Sequence, residues 1–320
     1  MNAPLVTVIV PGRDVSAFAF EALASLRAQT MTSWRGILVD DGSVDETGAL
    51  FAAAAAADPR FTVIAHDTPR GLAAARNAGL DRVETPFVGF LDADDVLTPH
   101  ALERLTETLL RTGSDLVVGA YVRLRPDDAG GYTAGLVQPW VRAATAPERH
   151  GTNLGEHPDV SGNIVAWSKV SRVELWRRLG LRFPEGRLYE DQIVAQRLYT
   201  AARAIDVIPD IVVHWRERAD GSSITQRKDT LPVLADYLEA LRGGLAVLDA
   251  AGQRAAARSR VRLILDMDIP PLVRIAQHHP DHSYRRAVGA LVRELAARAD
   301  AEALALAPEG AALRAAAVLW

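Results

Sequence analysis

The chain has 320 residues, 49% apolar and 24% charged, enough for a sizeable core in one large or two modest domains. Lys+Arg 36 against Asp+Glu 40 leaves a formal charge of -4, which removes the electrostatic case for a nucleic-acid partner, so charged ligands are expected to be small. The absence of cysteine excludes a disulfide framework, thiolate metal sites and cysteine nucleophiles, and no stretch approaches the roughly 18 uninterrupted apolar residues of a spanning helix.

The N-terminus passes from Met1 directly into an apolar run with no basic lead and no small-residue cleavage site, so cytoplasmic residence is expected. Leu5 to Val10 reads as a first strand closed by Pro11 and Gly12. Ser16 then caps a helix in which Phe20, Leu23 and Leu26 recur at helical spacing. Arg35 to Asp40 reads as a second strand ending in the turn Asp41-Gly42-Ser43, followed by a helix through the alanine run 52–57. A third strand over 61–65, a helix over 72–83 and a fourth strand over 86–91 complete an alternation that predicts an α/β fold on a mostly parallel sheet. The fourth strand delivers Asp92-Ala93-Asp94-Asp95 at its carboxyl end, where open α/β sheets bind ligands. A helix over 99–111 and a strand over 115–121 follow. From Arg125 to Gly162 the pattern loosens into what reads as a long loop, and then helices are expected over 169–179 and 190–204 and a strand over 206–215. The remainder, rich in Ala, Leu and Arg, reads as all-helical, broken into at least three helices by Pro270-Pro271 and Pro280. The expected organisation is one domain over 1–227 and a helical one over 228–320.

Several of these residues could carry chemistry. Asp92, Asp94 and Asp95 repel one another, and a divalent cation with oxygen ligands would compensate them, although helix capping or a turn would also explain them. Asp40-Asp41, on the same sheet edge, could accept hydrogen bonds from a base or a ribose, or close an Asx turn. Arg76 could contact a nucleotide base or phosphate, with Gly71 allowing close backbone approach. Glu190-Asp191 opens a helix, where acidic residues commonly complement the dipole. Asp191 could instead be the general base that takes a proton from an acceptor hydroxyl, with Glu190 positioning it or binding acceptor. His214 could complete a metal site, and Arg216 or Arg218 could hold a diphosphate. Trp167 and Lys169 offer an aromatic platform and a cation, or a core residue beside a surface one.

Read in order, the segments VTVIVP, LVDDGSVDET, GLAAARNAGL, FLDADD, AWSKVSR, YEDQ and HWRERADGSSIT resemble a family 2 glycosyltransferase with the GT-A fold, over about residues 5–227. The likeness is to bacterial cell-envelope members, including teichoic-acid and capsule enzymes. It implies an inverting transferase that moves a sugar from a nucleotide diphosphate sugar, UDP by default, to a glycan, polymer or lipid-linked acceptor with Mn²⁺ or Mg²⁺. Position by position, the resemblance makes Pro11, Asp40 and Asp41 nucleotide-binding elements assisted by Arg76. Asp94 becomes the direct metal ligand, Asp92 lies nearer the ribose, and Asp191 is the base. The chain departs from many relatives in carrying Gly12-Arg13-Asp14 where they have an aromatic residue and Asn. Phe18 would have to substitute for the base-stacking contact unless it faces the core. A phosphotransferase reading leaves Asp40-Asp41, Arg76 and Glu190-Asp191 without roles, and a binding protein that has merely kept the fold would need neither Asp94 nor Asp191. Self-association, docking of another enzyme and contact with the cytoplasmic face of a membrane remain open for the helical region.

Overall fold

The computed structural model describes residues 3–219, 228–299 and 308–320. Its centre is a ten-stranded mixed sheet. Strand β1 (Val6–Gly12) is buried at all seven positions, because parallel neighbours and helices cover both its faces, which accounts for its unbroken apolar run. It lies between β2 (Trp34–Asp40) and β4 (Phe87–Phe90), with β3 (Phe61–Ala65) beyond β2. The order β3-β2-β1-β4 reverses direction at β1, and such a switch point opens a crevice beyond the carboxyl ends of the strands. The connecting helices are α1 (Ser16–Arg27), α2 (Thr47–Ala57) and α3 (Leu72–Leu80). In α1 the inward stripe is Ala19, Ala22, Leu23 and Leu26, whereas Phe20 is exposed.

The second half of the sheet is built from β6 (Leu116–Pro126) and β10 (Ile205–Arg216), parallel to each other and reached through α4 (Ala101–Thr112). Gly113 ends α4 with φ of 77°, a left-handed conformation glycine adopts without steric cost. The expected helix from Lys169 is corrected: Lys169–Arg172 is a strand, β9, wedged antiparallel between β4 and β6, and the helix α6 begins at Val173 and ends at Leu179. Four residues are too few to show strand periodicity, and their assignment comes from the two partner strands that satisfy their backbone.

The expected long loop is also corrected. Residues 125–162 hold the end of β6, a hairpin strand β7 (Tyr132–Ala134), helix α5 (Pro139–Thr145), strand β8 (Arg149–Thr152) and a 3₁₀ turn at Pro158–Gly162, while Val96–Leu97 forms a short strand β5 against β10.

After α7 (Asp191–Ala201) and β10, the described chain resumes at Lys228 and is helical: α8 (Leu231–Ala250), α9 (Arg254–Leu263), a π-helical turn (Ile264–Asp268), α10 (Ile269–His278), α11 (His282–Arg298) and α12 (Pro308–Val318). Pro280 separates α10 from α11 as expected. Pro270-Pro271 does not break the path, because both lie in the first turn of α10, where the missing N–H is not called on, directly after the π turn has reset the hydrogen-bond register. Two apolar cores result. The larger fills both faces of the sheet and draws in Leu248, Ala256 and Ala257, while the second is formed within the helical region around Leu241, Leu265, Leu272 and Leu291. The two regions meet where α8 lies on α7, and Gly243 permits the approach: a Cβ there would come within 2.6 Å of Ile193.

Candidate active site

The carboxyl ends of β1, β4, β6 and β10 open into a cleft of about 950 Å³. Pro11, Asp41, Arg76, Asp92, Asp94, Glu190 and Asp191 all line it, so most of the residues selected from sequence converge. Asp40 does not line it. Its Oδ1 instead accepts the Ser43 backbone N–H at 3.1 Å, closing a turn. Asp41 turns into the cleft wall, where it accepts from the backbone N–H groups of Arg70 (2.9 Å) and Gly71 (2.7 Å) and pairs with His66 Nδ1 (2.7 Å). Burial pushes its carboxyl up, but these hydrogen bonds and His66 outweigh it and hold the pKa below the ordinary value. Gly71, at φ of 95°, directs its N–H at Asp41 in a conformation that a side chain would strain.

Arg76 is 2% exposed. Its two terminal nitrogens are taken by carboxylates, one by Glu190 Oε1 at 2.5 Å and the other by Asp92 Oδ1 at 2.7 Å. Burial works against its charge, yet Asp92, Glu190 and Asp191 together keep its pKa raised. The structure therefore gives Arg76 the work of tying the β4 end to the start of α7. Glu190 is itself 5% exposed, and burial raises its pKa while Arg76 opposes that.

Tyr189, just ahead, has φ of 60°, an uncommon conformation for a bulky residue, and its ring packs on Tyr237 of α8 at 4.5 Å. This turn sends Glu190 to Arg76 and leaves Asp191, the first residue of α7, in the cleft. Burial pushes the Asp191 carboxyl up to about 7, Glu190 beside it adds to the rise, and Arg76 opposes it. Lys169 lies behind. Its Nζ donates to Asn163 Oδ1 at 2.6 Å and to the Val165 carbonyl, and burial lowers its pKa to about 7 against the pull of Asp191.

Asp94 Oδ2 accepts from Arg218 Nε at 2.8 Å. Burial raises the Asp94 pKa, with Arg218 opposing and Asp92 adding to the rise. Asp95 faces away from the cleft and accepts the Arg216 backbone N–H at 2.7 Å.

Two expectations are corrected here. Along β10, Trp215 lines the cleft, so by strand alternation His214 and Arg216 face the other side of the sheet, toward α1. Arg216, 3% exposed, donates to the Asp94 carbonyl and to Glu21 of α1, and burial lowers the His214 pKa with Glu21 opposing. Neither reaches the cleft. Arg218 is the arginine that does, and among the described residues no three His, Cys, Asp or Glu side chains form a metal-holding group. Phe18 packs under Arg216 and Arg218, with their guanidinium carbons 5.3 Å from its ring centroid, and does not line the cleft. Gly221-Ser222-Ser223 lies outside the described residues.

Of the opposite wall, sequence reasoning found Trp167 as an aromatic platform and missed the rest. On β6, Tyr121 and Arg123 point the same way, and the β6/β10 register sets Trp215 beside Arg123. Trp140 from α5 and Trp167 complete an aromatic surface, with Tyr121 and Trp167 4.7 Å apart edge to face and Trp167 and Trp215 stacked at 6.4 Å. The helical region closes this side with Asp236 and Tyr237 of α8, Arg260 of α9 and Met267 and Asp268 of the π turn. The i, i+2 pair on β6 was a legible signal, whereas the helical contributors carry no local motif.

The family model for Glycosyl transferase family 2 matches residues 7–172, about half the chain, and spans β1 through β9 with the carboxylates of β2 and β4. The chain belongs to that family. This glycosyltransferase is 31% identical to the glycosyltransferase EpsJ of Bacillus subtilis (strain 168) over 238 residues, 74% of this chain and 67% of EpsJ. Among solved structures, S. aureus TarS in complex with UDP-GlcNAc superimposes with a TM-score of 0.72 at 19% identity, covering 92% of this chain and 84% of that one. The mannosyltransferase PcManGT of Pyrobaculum calidifontis, in complex with GDP-Man and Mn²⁺, gives 0.59 at 17% identity over 99% and 86%. At these identities the two structures bear on the fold, which is the one the transferase was expected to have.

Proposed function

We propose that this glycosyltransferase moves a sugar from a nucleotide diphosphate sugar, with UDP the expected nucleotide, onto a hydroxyl of a glycan, polymer or lipid-linked acceptor in cell-envelope polysaccharide synthesis. The observation that carries the reading is the convergence in one cleft of Asp92 and Asp94, at the sheet's switch point, with the separate carboxylate Asp191. Asp191 takes the proton of the acceptor hydroxyl as that oxygen bonds to the anomeric carbon, and the bond from that carbon to the diphosphate breaks on the opposite side. The configuration is inverted in a single displacement. A pKa near 7 suits a base that must be ionised to act and must also bind a proton in the course of reaction.

Asp92 and Asp94 fit Mn²⁺ or Mg²⁺. One carboxylate oxygen of each is not taken by Arg76 or Arg218, and at Asp94 burial raises the pKa, with Asp92 adding to the rise against Arg218, so a cation there would offset a real cost. Two carboxylates do not make a complete shell, which accords with a metal that keeps waters and takes the remaining oxygens from phosphate. Bound there, the metal would supply charge stabilisation to the departing diphosphate. Arg218 would add a cation to the same place, and Asp41 would orient the turn at Arg70-Gly71 against the nucleotide. No helix among the described residues is long and apolar enough to cross a membrane, and we assign the reaction to the cytoplasm, at its membrane face if the acceptor is lipid-linked.

A thermal-shift panel of nucleotide sugars with Mn²⁺, Mg²⁺ or chelator tests the reading. A donor at about 100 times its dissociation constant stabilises the fold by about 2.7 kcal/mol. One nucleotide sugar is expected to stand out, with its stabilisation reduced by chelator. A flat panel, with no hydrolysis of any donor, would reject the proposal.

A further inference from the structure

Among the described residues six arginines line the cleft, and five of them face a carboxylate. Arg13 pairs with Asp14, Arg76 with Asp92 and Glu190, Arg187 with Asp236, Arg218 with Asp94, and Arg260 lies 3.7 Å from Asp268. Arg123 is the exception. Among the described residues no carboxylate or carbonyl accepts from its guanidinium, and its Nε is buried without a partner. The group lies against two rings, its central carbon 4.8 Å from the Trp215 centroid and 5.8 Å from that of Trp140. Aromatic contacts of this kind restrain a guanidinium and leave its terminal N–H groups available to the oxygens of an anion.

Lys228 faces the same space from the helical region. Its Nζ sits 3.9 Å over Tyr237 and 5.8 Å from Tyr189, and among the described residues it too makes no hydrogen bond. Burial lowers its pKa, Asp268 opposes this, and Arg123 adds to the lowering, so the two cations feel each other across the cleft. Asp268 is already engaged, accepting the Tyr237 hydroxyl at Oδ1 and facing Arg260 at Oδ2. Among the described residues these two half-buried cations have no anion between them and are electrostatically incomplete, whereas each of the other five arginines faces a carboxylate.

We propose that Arg123 and Lys228 form an oxyanion subsite, beside the aromatic wall of Trp140 and Trp215, that binds a phosphate or carboxylate group carried by the acceptor. The acceptor class is then an anionic glycan or polyol chain, whose ring or carbon skeleton lies on the aromatic faces while its charged substituent enters the fork of Arg123. This deepens the transferase reading and rests on it, since it is that reading which makes this half of the cleft the acceptor side. The donor half has its own cation in Arg218, against Asp94.

The test uses the full chain and follows tryptophan fluorescence, because Trp140 and Trp215 flank the subsite. The probes are an oligogalacturonate for carboxylate, a poly(glycerol phosphate) for phosphate and maltoheptaose as the neutral control, at fixed ionic strength and with and without UDP and Mn²⁺. At least one anionic probe is expected to bind about tenfold or more tightly than maltoheptaose, and which one binds identifies the anion. Arg123→Gln and Lys228→Gln should each lower that preference by about tenfold, the size of a lost charged hydrogen bond, while leaving UDP affinity unchanged. Lys228 lies outside the sheet, so its variant tests the subsite even if Arg123→Gln disturbs β6. Equal binding of neutral and anionic probes would overturn the subsite, as would an unchanged preference in Lys228→Gln. A matching loss of UDP affinity would hand the two cations to the donor diphosphate and also overturn the proposal. Failure of the wild-type chain to bind UDP at all would count against the transferase reading and is measured separately.

Discussion

At the scale of single residues, the proposed chemistry turns on a carboxyl group whose proton is held more tightly than in water. Burial dominates at Asp191, with the neighbouring Glu190 acting in the same direction. A base works only when ionised, so kcat/KM is expected to fall as pH drops through about 7 and to level off above it, read from a pH profile at saturating metal. Asp191→Asn should reduce transfer by about 10² to 10⁴-fold, the usual contribution of a positioned base, and leave donor binding by calorimetry nearly intact. Near-normal transfer by that variant would move the base elsewhere. Arg76 makes a different kind of prediction. Replacing it by Met leaves Glu190 and Asp92 without their shared cation, and loss of one partner of a buried pair costs about 3–5 kcal/mol. Denaturant unfolding of Arg76→Met should show a loss of that order at neutral pH. The loss should shrink in acid, because the Glu190 pKa is already raised and protonation removes the unpaired charge.

At the scale of elements, what was readable depended on how many residues carried the pattern. Strands β1, β2 and β4 were legible because each is an apolar run closed by turn residues, and the carboxylates at their ends followed from that placement. Strand β9 was not, since Lys169-Val170-Ser171-Arg172 has no periodicity of its own and owes its extended form to β4 and β6 on either side. His214 and Arg216 were misplaced for a related reason. Their motif was visible, but which face of β10 meets the cleft is decided by the sheet, and one residue of offset puts Trp215 there instead. The contact of α8 with α7 is equally non-local. Gly243→Val would drive a branched side chain into Ile193 and push apart the helices that hold Asp191 and Tyr237, at an expected cost of about 1–3 kcal/mol. A matched fall in kcat without a change in donor affinity would tie that packing to the position of the base.

For the whole molecule, we propose that residues 228–320 are a unit of their own in secondary structure but not in function, because Asp236, Tyr237, Arg260 and Asp268 complete the cleft and Leu248, Ala256 and Ala257 belong to the larger core. A chain ending at residue 227 should therefore lose solubility and transfer activity together, measured by expression and donor turnover. A soluble and fully active fragment would show that the helices serve something other than the cleft.

By itself, the sequence determined the α/β class, the family, and the carboxylates at the strand ends, because each is written in contiguous residues: apolar runs that must be buried, turns that must close them, and acidic groups placed where the runs stop. Only the tertiary structure decided that Arg76 is a buried bridge, that Arg218 rather than Arg216 has its side chain on Asp94, and that Arg123, among the described residues, stands without an anion beside Trp140 and Trp215. Those facts depend on which residues, far apart along the chain, come within hydrogen-bond reach and which remain unpaired, and that is set by the packing of strands and helices rather than by any local pattern.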